Sequence, residues 1–420
     1  MFHFNMKGGE MRASRKRELD AMDRRKFLTA ASLATAGLAA GCAGGKPGAE
    51  KELPSEVGAK LSAYGERSKY DTAQRLVPEL KRPEIGSSTT PLADSEGIIT
   101  PASLHFERHH AGVPQIDPAQ HTLLIHGLVD RPMVYMFDEL KRLPSESHIY
   151  FVECSGNSGR EWKAPGAGDV QKGFGLASCS EWTGVPVRLL LEEAGLQKGA
   201  KWMLAEGADA CKLFRSLPLK KVLKDGLVAY AQNGEAIRPS QGYPVRLIVP
   251  GYEGNTNIKW LRQLKVVDQP YMAKDETSKY TDLMEDGKAR QFTFEMDAKS
   301  VITHPSGVRK LAGPGFYEIR GLAWTGRGRI EKVEVSVDGG ITWKAAELQE
   351  PRLAMAFTRF RMPWEWDGSE GQIMSRAIDE SGYVQPSREE LTEARGLNSN
   401  YHYNGIKAWK IGADGEVQSV

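Results

Sequence analysis

At 420 residues, with 40% hydrophobic and 26% charged side chains, the chain has the composition of an ordinary soluble globular protein. It is long enough for two or three domains with substantial cores. The formal charge of +2 comes from the start of the chain: residues 1–41 hold eight of the 56 Lys/Arg and four of the 54 Asp/Glu, leaving 48 basic against 50 acidic residues, or −2. Charge therefore gives no support to nucleic-acid binding. The four cysteines, Cys42, Cys154, Cys179 and Cys211, form no CxxC and no CxxCH. This argues against zinc knuckles, thioredoxin-type redox sites and covalent haem attachment. Any redox chemistry must then pass electrons to another molecule.

Asp23-Arg24-Arg25-Lys26-Phe27-Leu28 reads as a twin-arginine signal, followed by an apolar run, Leu28 to Ala40, too short to span a bilayer. Ala39-Ala40-Gly41-Cys42 resembles a bacterial lipobox, which would lipidate Cys42; the other reading is an ordinary cleaved signal. Met22, directly before the motif, is an alternative start. The twin-arginine route exports folded proteins, often because a cofactor is inserted first, so a periplasmic cofactor protein is expected. In an oxidising compartment Cys179 and Cys211 are free to pair or not; their spacing does not decide it. Residues 42–95, rich in Gly, Ser, Pro, Lys and Glu, read as a tether that becomes ordered towards its end.

From residue 96 the pattern is that of a folded α+β domain extending to 285. Strands are predicted at His121–Val129, Ile149–Glu153, Trp202–Glu206, Val245–Val249 and Trp260–Val267. Short helices are predicted at Phe137–Leu143 and Pro218–Lys224. A third helix is marked by Val187, Leu190, Leu191 and Ala194, with Gly195 as its stop. The alternation lacks the regular βαβ cadence of a parallel fold, and no GxGxxG follows a strand. Residues 286–420 change texture: Tyr317–Leu322, Ile330–Val337, Thr342–Leu348, Phe357–Met362 and Ile373–Asp379 read as short strands. Asp338-Gly339-Gly340 marks a hairpin turn, and the whole describes an immunoglobulin-like β-sandwich.

The chemistry centres on Phe151-Val152-Glu153-Cys154-Ser155-Gly156-Asn157-Ser158-Gly159-Arg160, where a buried strand breaks into a small polar loop with two glycines. A cysteine there is well placed to hold a ligand, although a lone cysteine is more often a small core residue. Arg108-His109-His110, Glu206-Gly207-Ala208-Asp209, Gln241-Gly242-Tyr243-Pro244-Val245-Arg246 and Lys259-Trp260 place cations beside glycine backbone, which suits an oxyanion. Together with a thiolate they point to a soft metal in an anionic organic cofactor.

From about residue 95 onward the chain resembles the sulfite oxidase family of molybdopterin enzymes. The resemblance is carried by His105-Phe106-Glu107-Arg108-His109-His110, Glu153-Cys154-Ser155-Gly156-Asn157, Gly242-Tyr243-Pro244-Val245-Arg246 and Ile258-Lys259-Trp260-Leu261. It continues in Thr277-Ser278-Lys279-Tyr280-Thr281-Asp282 and Arg395-Gly396-Leu397-Asn398-Ser399-Asn400. Within the family the chain is most similar to the SoxC branch, the molybdenum subunits of sulfane (sulfite) dehydrogenase. The resemblance implies a sulfite-oxidase-type molybdopterin-binding domain followed by an immunoglobulin-like dimerisation domain, and a homodimer. The family's molybdenum-ligating cysteine falls on Cys154 and its active-site tyrosine on Tyr280. Its substrate-pocket arginine falls on Arg108 and a late pocket arginine on Arg395. Contacts to the pterin cofactor and its phosphate fall on His110, Asp209, Arg246 and Lys259.

The implied activity is oxygen-atom transfer from water to a sulfur substrate at molybdenum. No haem is expected in this chain, so electrons would leave to a separate c-type cytochrome, a SoxD-like subunit being one form of it. Sulfite oxidases proper follow the cysteine with Ala-Gly-Asn and two arginines; here Ser158 and Gly159 stand in those places and Arg160 comes one residue later. Losing a pocket cation weakens the pull on a small free dianion and suits a larger substrate, such as sulfane sulfur on a carrier protein's cysteine. The family also often has histidine where Gln241 stands. Two other classes remain on the residues alone. One is a cysteine hydrolase with Cys154 as nucleophile and His109 or His110 as base; the other is an exported, non-catalytic binding module.

Overall fold

A computed structural model describes residues 60–420 apart from positions 83, 167, 285 and 308. The expected twin-arginine signal, the Cys42 lipobox and most of the expected tether lie outside the described residues. Residues 60–68 are exposed and carry no helix or strand, and Lys69–Val420 form one compact unit. Order begins before residue 96. Leu76 bridges to Thr89, β1 (Gly86–Ser88) pairs antiparallel with β2 (Glu107–His109), and Leu92 is buried in the main core. Gly-Ser-Ser has no apolar pattern of its own; the strand exists because β2 supplies its partners.

The first half of the unit continues with β3 (Thr122–Gly127), β4 (Met133–Met136), β5 (Glu146–Glu153), β6 (Ala177–Pro186), β7 (Trp202–Gly207) and β8 (Phe214–Pro218). It ends with β9 (Leu227–Gln232), β10 (Glu235–Ala236), β11 (Arg246–Ile248) and β12 (Leu261–Val267). One sheet runs β4-β3-β12-β7-β8, in which β3 and β12 are parallel; the other runs β10-β9-β6-β5, with β11 added beside β9. The helix Val187–Ala194 buries Val187, Leu190, Leu191 and Ala194. It packs with Leu123, Ile125 and Val266 of the first sheet in one apolar cluster. It stops at Gly195, whose φ of 74° is a left-handed value that glycine adopts without a Cβ penalty.

After a small hairpin of β13 (Asp282–Leu283) and β14 (Ala289–Arg290), the chain builds a sandwich. Its strands are β15 (Lys299–His304), β16 (Gly315–Trp324), β17 (Ile330–Ser336), β18 (Lys344–Ala345), β19 (Glu347–Leu348), β20 (Thr358–Trp366), β21 (Gly371–Asp379), β22 (Ala408–Ile411) and β23 (Val417–Ser419). The two sheets are β15-β16-β20-β19 and β18-β17-β21-β22-β23. The single strand expected over Thr342–Leu348 is divided. β18 pairs with β17 and β19 with β20, so the chain changes sheets at Ala346, whose N–H donates to the Val333 carbonyl. Trp324, Phe360, Ile373 and Trp409 fill the sandwich, and the same core takes in Phe151, Phe174 and Cys179 from the first half. β5 therefore packs against the sandwich, and the loop that follows it emerges at the seam between the two halves.

Candidate active site

The Cys154 loop is fixed by buried polar contacts on both sides. The Cys154 N–H donates to Leu176 O (2.9 Å), and the Asn157 N–H donates to Cys154 O (2.8 Å). Asn157 bridges outward: its Nδ2 donates to Glu153 Oε1 (2.9 Å) and its Oδ1 accepts from Leu176 N (3.0 Å). Glu153, the last residue of β5, is fully buried and also accepts from Trp324 Nε1 (2.6 Å) and from the Lys299 ammonium. Such a carboxylate is tolerable only because a cation and two further donors meet it. At Gly156 a Cβ would lie 3.9 Å from Cys154 Sγ and 3.6 Å from the Tyr401 ring. Its absence leaves the space before the sulfur open.

That space is part of a cavity of about 380 Å³. Cys154, Tyr280, Arg108, His110, Asp209, Arg246 and Lys259 all line it. Arg395 does not; its guanidinium lies 3.9 Å from Asp297, and it closes the C-terminal end of the helix Arg388–Arg395. Cys179 and Cys211 are both free thiols, Cys179 buried and Cys211 exposed, with Cys211 Sγ donating to Asp209 Oδ2 (2.8 Å).

One end of the cavity carries Arg246 and Lys259, which have no carboxylate ion-pair partner among the described residues. Arg246 donates to Gln241 O (2.9 Å) and Asn257 O (3.2 Å) and lies 4.8 Å over the Trp182 ring. Burial lowers its pKa to about 9. Lys259 donates to Arg108 O (3.1 Å), Ser240 O (3.0 Å) and His109 Nδ1 (2.9 Å). Burial, and then Arg246, push its pKa well down. Burial likewise takes His105 to about 3 and, with Arg108 adding to it, His110 to about 4, so both imidazoles are neutral near pH 7. Among the described residues, four buried atoms of side chains lining the cavity have no hydrogen-bond partner: His105 Nε2, Arg246 Nε, Asn255 Oδ1 and His109 Nε2, the last lying 3.4 Å from Glu107 Oε2. Buried polar atoms left in this state mark places where a polar ligand completes the set. Desolvated cations favour an anion there.

At the other end stand two phenols. Burial, and next the neighbouring Cys154, raise the pKa of both Tyr280 and Tyr401, so both remain protonated donors. Arg215, itself fully buried, stacks 4.7 Å over the Tyr280 ring and pairs with Glu276 (3.2 Å). Tyr401, Lys279, Asn257 and Arg215 were not singled out by the sequence. Lys279 lies inside a quoted motif, but nothing in residue type or spacing distinguishes Tyr401 or Arg215.

Burial also raises the Cys154 thiol pKa, opposite to what a cysteine nucleophile needs. Among the described residues no group of three or more His, Cys, Asp or Glu side chains could hold a metal. A metal at Cys154 thus needs donors beyond these side chains, and a pterin dithiolene is a soft donor set that matches the thiolate. The residues present fit a molybdopterin cofactor: a soft ligand, desolvated cations and unfilled polar atoms around one cavity.

Comparison with known proteins agrees. Residues 110–274 match the family model of the oxidoreductase molybdopterin binding domain, and residues 290–408 that of the Mo-co oxidoreductase dimerisation domain. The structure is similar to that of the sulfane dehydrogenase SoxCD from Paracoccus pantotrophus, with a TM-score of 0.85 and 44% identity, covering 88% of this chain and 97% of that one. The chain belongs to the sulfite oxidase family of molybdopterin oxidoreductases, close to SoxC. NADH nitrate reductases share the domain. The enzyme of Solanum lycopersicum is 31% identical over 70% of this chain, and one from Phaseolus vulgaris is 32% identical over 64%. The matched stretch spans only 36% and 34% of those proteins. Membership of an oxidoreductase family replaces the hydrolase and binding-module alternatives.

Proposed function

We propose that this protein is an exported sulfite or sulfane dehydrogenase, with sulfane sulfur held on a carrier protein as the preferred substrate. When bound, the molybdenum cofactor supplies two-electron oxygen-atom transfer to sulfur. Cys154 would ligate the metal, and His110, Asp209, Arg246 and Lys259 would hold the pterin and its phosphate. Arg108 lines the same cavity and would draw an anionic sulfur group towards Cys154 by charge. Tyr280, kept protonated, would donate a hydrogen bond at the reacting oxygen or relay its proton. Electrons would leave singly to a separate c-type cytochrome such as a SoxD-like subunit. Residues 286–420 would form the homodimer. The twin-arginine signal would place the enzyme in the periplasm, with Cys42 as a candidate lipid anchor.

The preference for a carrier-bound substrate rests on one observation. Ser158 is buried, and Arg160 is exposed beside a separate hollow of about 190 Å³ that adjoins the cavity at Ser87, Gly156 and Leu176. The loop after Cys154 thus contributes only Ser155 and Gly156 to the cavity, and Arg160 does not line it. Free sulfite is the second reading, favoured by the cavity's remaining cations. Molybdenum analysis of protein matured through the twin-arginine route, followed by sulfite-dependent reduction of a c-type cytochrome, tests both. Metal near one per chain with slow sulfite turnover supports the carrier-bound substrate; brisk turnover supports sulfite; absence of molybdenum rejects the proposal.

A further inference from the structure

A buried chain of charged and polar groups runs from the sandwich to the residue beside Cys154. At its centre is His402, 2% exposed, held between two carboxylates: its Nε2 lies 2.8 Å from Asp297 Oδ2 and its Nδ1 3.3 Å from Glu253 Oε1. With carboxylate acceptors at both nitrogens, the imidazole needs both protons and is the cation of the set. Behind it, Asp297 pairs with Arg327 and lies 3.9 Å from Arg395. In front, Glu253 Oε2 accepts from Asn255 Nδ2 (2.9 Å), and the same amide nitrogen donates to Ser155 Oγ (3.0 Å). The backbone closes a second arm: the His402 N–H donates to Ser155 O (2.8 Å). His402 makes this contact at φ 60°, an uncommon value for a residue with a side chain, so it is held by its partners rather than by preference.

We propose that His402 is a positioning residue of the catalytic centre, gripping Ser155 by its own backbone N–H and through Glu253 and Asn255, and thereby fixing the direction of the neighbouring Cys154 side chain. The inference rests on Cys154 as the molybdenum ligand. It also gives Arg395 a place outside the cavity: with Arg327 it neutralises Asp297, the rear carboxylate of the clamp. Groups that orient a metal ligand without touching the metal alter the centre's electronic structure as well as its occupancy. A residue that merely stabilises the fold lowers occupancy and leaves loaded centres unchanged.

The test compares molybdenum-loaded wild type with His402→Gln, which removes the cation, and Ser155→Ala, which removes only the side-chain arm and keeps the fold should His402→Gln misfold. The readouts are the Mo(V) electron paramagnetic resonance spectrum after partial reduction, and kcat and KM per bound molybdenum. Both variants are expected to show shifted or heterogeneous Mo(V) g-values, with kcat per metal down by roughly 10–100-fold in His402→Gln and less in Ser155→Ala, at unchanged KM. Wild-type spectra and wild-type kcat per metal in both variants would overturn the proposal, whatever the loss of thermal stability. A wild-type protein without molybdenum would instead overturn the cofactor reading, and this inference with it.

Discussion

The rings of Tyr280 and Tyr401 meet at the Cys154 end of the cavity, their centroids 5.2 Å apart and their planes inclined by 51°. They arrive from different parts of the chain, Tyr280 just after the short helix Lys274–Ser278 and Tyr401 from the segment after Arg388–Arg395. Their surroundings separate their roles. Tyr280 is packed under Arg215 and is 9% exposed, whereas Tyr401 is half-buried and offers a ring edge to Gly156. Tyr280→Phe is expected to lower kcat roughly 100-fold, the cost typical of removing one donor aimed at a reacting oxygen. Tyr401→Phe should leave kcat near wild type, because the ring rather than the hydroxyl forms the wall. Steady-state turnover per molybdenum distinguishes them; equal losses would reject the division of roles.

Gly156 gives a sharper steric test. Its φ does not demand glycine, and an added Cβ makes only ordinary van der Waals contacts, 3.6 Å to Tyr401 and 3.9 Å to Cys154 Sγ. Gly156→Ala should therefore fold with a near-normal melting temperature while its methyl occupies the space before the sulfur. Reduced molybdenum content, or a raised KM at full content, is the expected result by metal analysis and kinetics. Normal values for both would mean that the cofactor and substrate approach from elsewhere.

Much of this architecture is written locally. Val187, Leu190, Leu191, Ala194 and Gly195 mark a helix and its stop because one apolar face and one left-handed residue are sequence properties. The strand leading to Cys154 is legible for the same reason. What was not legible depends on distant partners. Gly86–Ser88 is a strand only through β2, and the change of sheets at Ala346 leaves the alternation of residue types unbroken. Seven of the eight assigned site residues meet in one cavity, yet their roles came from resemblance to a family, since spacing alone gave only a thiol and scattered cations. Arg395 shows the limit: its motif suggests a pocket cation, while Asp297, Asp282 and Glu253 provide the nearby negative charge it answers to.

The Glu153–Lys299 pair links that strand to the sandwich, with side chains 0% and 1% exposed. Glu153→Gln keeps the shape but leaves the Lys299 charge without its counter-ion, and breaking a buried pair from one side costs about 3–5 kcal/mol. Denaturant unfolding should show that loss. Because Asn157 Nδ2 also depends on Glu153 Oε1, the Cys154 loop should loosen and molybdenum content should fall with it. A stability change within about 0.5 kcal/mol, the range of ordinary surface substitutions, would contradict the assignment.

Buried and partly buried histidines should pull stability in opposite directions with pH, best seen in cofactor-free protein. His105 and His110 have pKa values lowered from 6.5 to about 3 and about 4, burial being the main cause. The unfolded chain binds their protons first, so their contribution is complete above pH 6.5 and is lost as pH falls towards 4. His402 is raised instead: burial alone would lower it, but hydrogen bonds to Asp297 and Glu253 outweigh that, with Arg395 opposing and Arg327 acting through Asp297. Its contribution is complete below pH 6.5 and is lost as pH rises through its folded pKa. The melting-temperature gap between wild type and His402→Gln should therefore be widest near pH 6 and narrow towards pH 9. His105→Asn should flatten the acid side of the profile and leave the alkaline side alone. A His402→Gln gap that stays constant from pH 6 to 9 would show that folding does not raise the imidazole's pKa, and that the clamp on Ser155 does not depend on a stabilised cation.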